Sequence, residues 1–221
     1  MAMLIARIRS FFHSPRKNAL VIALPLFIGG CATVIPPAGP EAAPSIAQQR
    51  SYQDVIDLGG RLSLRYQRNG NDEAVHGSFT WTQTPRHTLV TLLSPLGQTI
   101  ATIAITPTQS TLTRAGEAPQ TAMDVDALAA RALGWPLPIS GLRDWLQGFA
   151  IDANGSRFIA TPQSRDASVT TGDGWRIRYG SWKNEHDLSA QNHPKRIDLE
   201  RSTAQAGDVS LRMVIDQWQP R

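Results

Sequence analysis

Residues 58–82 read LGGRLSLRYQRNGNDEAVHGSFTWT and contain the pattern that decides the fold. Leu62 and Leu64 alternate with polar residues, and the same alternation returns at Phe79 and Trp81 after an Asn-Gly pair. A period of two places successive side chains on opposite faces of a β-strand. Asn-Gly between two such runs is typical of a two-residue hairpin turn. The stretch therefore predicts two antiparallel strands with one apolar and one polar face.

The same alternation recurs along most of the remaining chain. Nearly every run has one apolar and one polar face, which is typical of antiparallel sheets that cover a core on one side. The sequence therefore predicts a single antiparallel sheet that curves around an interior. Beyond the first hairpin, strands are predicted at residues 88–93, 98–106, 110–114, 156–160, 168–171, 175–179, 196–201 and 209–217.

Two helical segments interrupt these strands. Residues 124–133 begin with Asp124 and are followed by Gly134, as expected for a helix that is capped at both ends. A second helix is predicted to have Ser140 as its N-cap and to be closed by Gly148. The apolar, proline-containing segment between the two helices is either a plain linker or part of a lid over the interior.

The first thirty residues have the features of a secretory signal. Four basic residues and no acid precede the apolar run at 19–28, which is about ten residues long and too short to span a bilayer. Ile28-Gly-Gly-Cys31 resembles a lipobox, where a lipid is attached to sulfur and the signal is removed, and Cys31 is the only cysteine of the chain. We expect residues 1–30 to be cleaved and Cys31 to carry an N-acyl group and S-diacylglycerol.

The segment after Cys31 predicts a tether. Residues 31–45 contain four prolines, which favour an extended and semi-rigid chain. The residue after the cysteine is Ala32 rather than the Asp that commonly retains lipoproteins in the inner membrane. We therefore expect anchoring at the periplasmic face of the outer membrane. Residues 46–221 are expected to form one domain, with a short helix within 46–58.

Charge and motif content exclude several classes of function. Of the 22 Lys and Arg residues four lie in the signal, so the remaining 18 equal the 18 Asp and Glu residues in number. The formal net charge after the signal is therefore zero, and no basic patch predicts nucleic acid binding. The histidines after the signal are isolated, and there is no metal-ligand spacing, nucleophile motif or phosphate loop. The sequence predicts a protein that is not an enzyme and that uses no metal or organic cofactor.

Four motifs together resemble the LolB family of outer-membrane lipoprotein receptors, over roughly residues 46–218. They are Ser94-Pro-Leu-Gly97 between two strands, Gly134-Trp-Pro-Leu-Pro-Ile-Ser-Gly-Leu-Arg-Asp-Trp145, Gly174-Trp-Arg-Ile-Arg-Tyr-Gly180 and Asp216-Gln-Trp218. The resemblance implies an open, or half, antiparallel β-barrel of about eleven strands that encloses a hydrophobic cavity under a lid of about three short helices. The more polar end of the chain, Gln219-Pro-Arg221, departs from the family pattern and leaves the length of the last strand open.

The resemblance also implies a function. The protein would accept lipoproteins from the periplasmic carrier LolA, bind their acyl chains in the cavity and insert them into the outer membrane. Its partners would be LolA, cargo lipoproteins and outer-membrane lipid, and it would act as a monomer.

The family pattern assigns roles to two sets of residues. A membrane-insertion loop is implied at Pro95, Leu96 and Gly97, where an apolar side chain in a tight turn cannot easily fold back into the core. Single exposed leucines are nevertheless common and often have no function. The wall of the acyl-chain cavity is implied to include Trp81, Trp145, Trp175, Tyr179 and Trp218. The residues alone leave open which of these aromatics line a cavity and which pack an ordinary core.

Two other functions remain open from the residues. One is a structural or assembly lipoprotein of the outer membrane, with a filled core and no transfer activity. The other is a lipoprotein hydrolase with a site that no motif reveals.

Overall fold

The computed structural model describes residues 50–163, 168–184, 192–204 and 206–221. The predicted signal, Cys31 and the tether lie outside the described residues. Within them the elements follow one another as β1 (Ile56–Arg68), β2 (Asn71–Gln83), β3 (Thr88–Leu93), β4 (Thr99–Ile105), β5 (Ser110–Thr113), β6 (Gln120–Ala122), α1 (Val125–Leu133), α2 (Ile139–Trp145), β7 (Phe149–Ile151), β8 (Arg157–Ile159), β9 (Ser168–Thr170), β10 (Arg176–Trp182), β11 (Pro194–Thr203) and β12 (Gly207–Pro220).

Ten of these strands form one antiparallel sheet in the order β6-β5-β4-β3-β2-β1-β12-β11-β10-β9. The first long strand is therefore central and pairs with the last, while β6 and β9 are edges that do not pair with each other in the described residues. The predicted open half-barrel is confirmed. The described residues hold twelve strands rather than about eleven, and two helices rather than about three.

The central hairpin forms as its sequence predicts. Asn69 and Gly70 both have positive φ, +53° and +79°, as a two-residue turn that matches the twist of the flanking strands requires. On the other side of β1, the register with β12 shifts between Gly59 and Gly60. A Cβ at Gly60 would lie 2.0 Å from the carbonyl oxygen of Val214, so only glycine allows β12 to approach this closely.

One face of the sheet is apolar and is covered by the helices. Its buried residues include Leu64, Ile103, Ile177 and Leu211 from four different strands, and they form one cluster with Leu128 of α1. The opposite face carries arginines and carboxylates in cross-strand ion pairs. The alternation seen in the sequence therefore corresponds to an inner and an outer face of the sheet.

Helix α1 is capped as predicted. The Asp124 carboxylate accepts hydrogen bonds from the backbone N–H groups of Asp126 and Ala127, and Gly134 ends the helix with φ +78°.

The prediction of Ser140 as the N-cap of the second helix is wrong. Helix α2 begins at Ile139 after Pro138, and no side chain of its own caps it. A proline can begin a helix because its φ is already helical and the first N–H groups have no intrahelical partner. The helix ends at Trp145, and Gly148 (φ +86°) follows a further turn that leads into β7.

The predicted helix within 46–58 is also wrong where the structure describes it. Residues 50–55 form no helix, and Ile56 and Leu58 are buried in β1. Because β1 pairs with both β2 and β12, sheet pairing outweighs the weak local preference for a helix. At the other terminus β12 extends to Pro220, and the N–H of Arg221 donates to the carbonyl oxygen of Val55. The last strand is therefore long despite its polar end.

Candidate functional site

The strand directions define two ends of the sheet. Since neighbouring strands are antiparallel, β1 and β3 run in the same direction and their turns at 69–70 and 94–98 lie at the same end. The turn before β10 and the connection from β11 to β12 lie there too. We call this the loop end. The turn at 84–87 and Met123 lie at the opposite end.

At the loop end, residues 94–98 form a closed turn with an exposed apolar tip. The Ser94 N–H donates to the carbonyl oxygen of Gln98 (2.8 Å), and the Gly97 N–H donates to that of Ser94 (2.9 Å). Gly97 has φ +80°, which glycine adopts at little cost. The turn leaves Leu96 87% exposed. Pro95, Leu96 and Gly97 therefore form a hydrogen-bonded turn whose tip is an exposed apolar side chain.

A cavity of about 590 Å³ also opens at the loop end. Its walls come from the end of β1, one side of α1, the segment that follows α1 and the start of β10. Apolar side chains in the wall are Tyr66, Ala130, Trp135, Leu137 and Trp175. The proline-containing segment between the helices is therefore part of the wall. A volume of this size lies within the range of roughly 300–1,000 Å³ that is usual for ligand pockets.

Charged groups form the rim of this cavity. Arg68 donates from Nη2 to the carbonyl oxygen of Gly134 (2.6 Å) and to the Tyr66 hydroxyl (2.9 Å). The guanidinium of Arg201 lies over the Trp175 ring at 5.8 Å. An apolar wall with a charged rim suits an amphiphilic ligand whose polar part stays at the surface.

The structure places the five aromatic residues implied for the cavity wall in different surroundings. Trp175 lines the cavity at the loop end. Trp145 of α2 is buried, and its ring centroid lies 6.4 Å from that of Trp175. Trp81 is buried and lines a second cavity of about 390 Å³ at the opposite end. The geometry thus brings Trp145 and Trp175 together and leaves Trp81 apart from them.

The other two aromatics lie away from the loop-end cavity. Tyr179 is buried, with its ring stacked on Phe158 at 6.2 Å. Trp218 is half-buried near the end of β12, where it stacks on His193 at 4.4 Å between ring centroids.

The family comparison adds to this geometry. A family model described as outer membrane lipoprotein LolB matches residues 55–218.

The chain belongs to the LolB family.

Curated relatives agree over almost the whole chain. Outer-membrane lipoprotein LolB of Cupriavidus metallidurans is 38% identical over 206 residues, which cover 92% of this chain and 97% of the relative. The LolB of Cupriavidus necator is 38% identical over 208 residues, which cover 94% of this chain and 99% of the relative. The LolB of Ralstonia nicotianae is 33% identical over 205 residues, which cover 90% of this chain and 96% of the relative.

In this LolB-family domain, residues 50–53 hold the end of α2 against the sheet. The Gln53 N–H donates to Oε1 of Gln147 (2.8 Å), and Nε2 of Gln147 donates back to the Gln53 carbonyl oxygen (3.1 Å). Gln83 of β2 donates to the Tyr52 hydroxyl (2.9 Å). Arg50 donates to the carbonyl oxygens of Gln147 (2.7 Å) and Ala160 (2.6 Å). This segment therefore joins α2, β8 and β2.

A second attachment fixes α2 to the sheet. Arg143 donates from Nη1 to Oγ1 of Thr88 and from Nη2 to the carbonyl oxygen of Thr84, both at 2.9 Å. The end of helix α2 is thus held by polar contacts on the side of the sheet opposite the cavity mouth. Opening at the loop end does not require these contacts to break.

Sequence reasoning missed three residues of the LolB-family interior. Trp135 and Trp182 are both buried, and Trp135 lines the loop-end cavity. The sequence did contain a signal that Trp135 is buried. This residue lies between Gly and Pro in an apolar segment, which cannot form regular structure yet avoids water. Arg50 gave no signal, since its partners lie about a hundred positions further along the chain.

The described part of the chain contains no group of three or more His, Cys, Asp or Glu side chains that could hold a metal ion. None of its helices has the length and apolar character needed to cross a bilayer.

Proposed function

We propose that this protein is an outer-membrane lipoprotein receptor that accepts lipoproteins from the periplasmic carrier LolA and inserts them into the outer membrane. One observation carries the proposal. The exposed tip Leu96 and the mouth of the apolar cavity lie at the same end of an open sheet. Cargo that leaves the cavity would then emerge at the same end of the sheet as the side chain that enters the bilayer. The family name, outer-membrane lipoprotein, agrees with this function and location.

The anchor completes this arrangement. We propose that Cys31 carries the N-acyl group and S-diacylglycerol and holds the protein at the periplasmic face of the outer membrane. Outside this covalent lipid, the proposed mechanism uses no metal or organic cofactor and no bond is made or broken. The protein acts as a monomer.

Acyl chains must pass directly between cavities rather than through water. Each buried CH₂ contributes ~0.8 kcal/mol, so a chain of about 16 carbons contributes on the order of 12 kcal/mol. Release into water would therefore be very slow. Transfer from the carrier needs only a small gradient, because tenfold tighter binding corresponds to about 1.4 kcal/mol. A partly open cavity with apolar walls can bind the chain and still release it to lipid.

The segment that contains Leu96 performs the last step. Moving an exposed leucine from water into hydrocarbon gains about 25 cal/mol per Å² of apolar surface. Because the turn is closed by its own hydrogen bonds, the entropy cost of ordering the loop does not offset this gain. The tip therefore brings the cavity mouth to the bilayer at low entropic cost.

The decisive experiment follows a radiolabelled lipoprotein that is presented as its complex with LolA. The mature protein is mixed with this complex, separated from it and then given liposomes. We expect label to move first to the protein and then to the liposomes. If the folded protein takes up no label, the receptor function is wrong, and a structural lipoprotein with a filled core describes the chain better.

A further inference from the structure

Arg50 is a buried cation without a carboxylate partner. It is 8% exposed, and no Asp or Glu among the residues that the structure describes forms an ion pair with it. Both terminal nitrogens donate to main-chain carbonyl oxygens of Gln147 and Ala160, while Nε has no hydrogen-bond partner. Burial without a counter-charge lowers the pKa of Arg50 to about 10. A positive charge in such a place is costly unless an anion accompanies it.

Tyr179 has a similar defect. It is 3% exposed, and its hydroxyl has no hydrogen-bond partner. Burial raises the pKa of this hydroxyl. The hydroxyls of Tyr52 and Tyr66 each form hydrogen bonds, so the isolation of Tyr179 is not a general property of tyrosines in this sheet.

The defects of Arg50 and Tyr179 differ from others in the domain. Asp57 and Arg196 also have an unpartnered buried atom, but both residues belong to ion pairs, with Arg221 and Asp198. Arg50 and Tyr179 lack such compensation in the described part of the chain. A buried donor without a hydrogen-bond partner is destabilising, and native proteins rarely keep one without a reason.

The two side chains are neighbours. The Arg50 guanidinium lies 4.6 Å from the centroid of the Trp182 ring, and the Tyr179 ring is 6.4 Å from the same ring. The charge of Arg50 partly opposes the rise of the Tyr179 pKa, whereas the more weakly acting carboxylate of Asp144 adds to it. Around them lie the rings of Phe149 and Phe158, so the polar pair is set in an apolar environment.

The available groups define the chemistry of a ligand. The N–H of Arg50 Nε and the O–H of Tyr179 are donors, so the missing group is an acceptor. The uncompensated charge of Arg50 favours an anion, and the surrounding rings favour a long alkyl chain. We propose that Arg50 and Tyr179 bind the carboxylate of a long-chain fatty acid. A neutral ester would supply an acceptor oxygen but would leave the charge of Arg50 uncompensated.

The structure also offers a route to this site. Phe149 and Phe158 belong to the hairpin β7–β8, which forms its own two-stranded sheet and contacts the edge of the ten-stranded sheet through the hydrogen bond from the Ala153 N–H to the carbonyl oxygen of Thr170 (2.8 Å). Displacing this hairpin would expose the polar pair and break the hydrogen bond from Arg50 to Ala160, but it would leave the ladder of the ten-stranded sheet intact. Binding of a free fatty acid is distinct from lipoprotein transfer, whose cavity opens at the loop end.

The test compares tritiated palmitate with methyl palmitate in equilibrium dialysis. The mature chain, residues 31–221, is used with Cys31→Ser so that its own lipid does not interfere. We expect palmitate to bind at least about tenfold more tightly than the ester, because only the carboxylate adds a hydrogen bond between two charged groups. Tyr179→Phe should weaken palmitate binding about tenfold.

Thermal unfolding separates this function from a purely structural one. Removing the unpartnered hydroxyl in Tyr179→Phe should not lower Tm, so weaker binding would not reflect misfolding. The matched control Tyr52→Phe removes a hydroxyl that has a partner, and it should lower Tm and leave palmitate binding unchanged. Equal binding of palmitate and its ester, or unchanged binding by Tyr179→Phe, would overturn the proposal and indicate that the pair is only a packing defect.

Discussion

Asp126 of α1 accepts two hydrogen bonds from Ser140 of α2, one from the backbone N–H (2.9 Å) and one from the hydroxyl (2.5 Å). The carboxylate thereby occupies the position that a capping side chain of α2 itself would take. Since Asp126 also lines the loop-end cavity, one residue joins the two covering helices beside the cavity mouth.

Removing the hydrogen bonds between Asp126 and Ser140 should lower the stability of the domain without changing the sheet. We expect Asp126→Ala to lower the free energy of unfolding by about 1 kcal/mol, since a helix loses its N-terminal acceptor. Urea unfolding of Asp126→Ala, Ser140→Ala and the double variant measures the coupling. If the effects of the two single variants simply add, the two residues do not cooperate as the geometry indicates.

Asp126 should also give a specific pH dependence. Burial raises the pKa of this carboxyl above its ordinary value, and the hydrogen bonds from Ser140 only partly oppose the rise. Because the folded pKa is the higher one, the favourable contribution of the protonated form is full below the unfolded pKa and is lost as the pH rises through the folded pKa. The Tm of the wild type relative to Asp126→Asn should therefore fall between acidic and neutral pH. A difference that is constant, or that rises with pH, would contradict this sign.

At Gly141, substitution by alanine should destabilise the protein, which is the opposite of its usual effect in a helix. In a helix interior, Gly→Ala normally stabilises by about 0.5–1 kcal/mol. Here a Cβ at Gly141 would lie 2.2 Å from a ring carbon of Trp145, so the ring must move away from its position beside Trp175. We expect Gly141→Ala to lower Tm, whereas Gly172→Ala, with nothing within 4 Å, should leave it nearly unchanged. An increase in Tm for Gly141→Ala would show that the Trp145 ring does not pack closely against this glycine.

Filling the loop-end cavity should block cargo uptake. Ala130 lines the cavity from α1, so Ala130→Trp places a large ring in its space. We expect this variant to fold but to accept much less radiolabelled lipoprotein from LolA. The control Arg131→Trp adds the same ring at a neighbouring position of α1 that does not line the cavity. Equal uptake by the two variants would exclude this cavity as the acyl site.

The sequence predicts local structure well where local chemistry decides it. The turn at Asn69–Gly70 and the caps of α1 follow from backbone preferences and short-range hydrogen bonds. The short strands β6 (Gln120–Ala122) and β7 (Phe149–Ile151) are not predicted, because their residues do not alternate between apolar and polar. They form because longer neighbouring strands and helices position them.

Long-range contacts explain the remaining errors. Ser140 has the residue type of an N-cap, but Asp126, fourteen positions earlier, provides the acceptor from another helix. Likewise, the environments of Trp81 and Trp175 depend on which end of the sheet each residue occupies. Such relationships arise from strand order and direction, which alternation alone does not specify.

The most direct test of the receptor function separates uptake from insertion. Leu96→Glu is compared with Met123→Glu, which alters an equally exposed apolar residue, 88% against 87%, at the opposite end of the sheet. Both variants and the wild type receive labelled lipoprotein from LolA and are then mixed with liposomes. We expect all three to accept cargo, and only Leu96→Glu to deliver it about tenfold more slowly, because burial of a leucine contributes about 1.5–3 kcal/mol. Delivery by Leu96→Glu at the wild-type rate, or an equal loss in Met123→Glu, would contradict the proposed role of Leu96 in insertion.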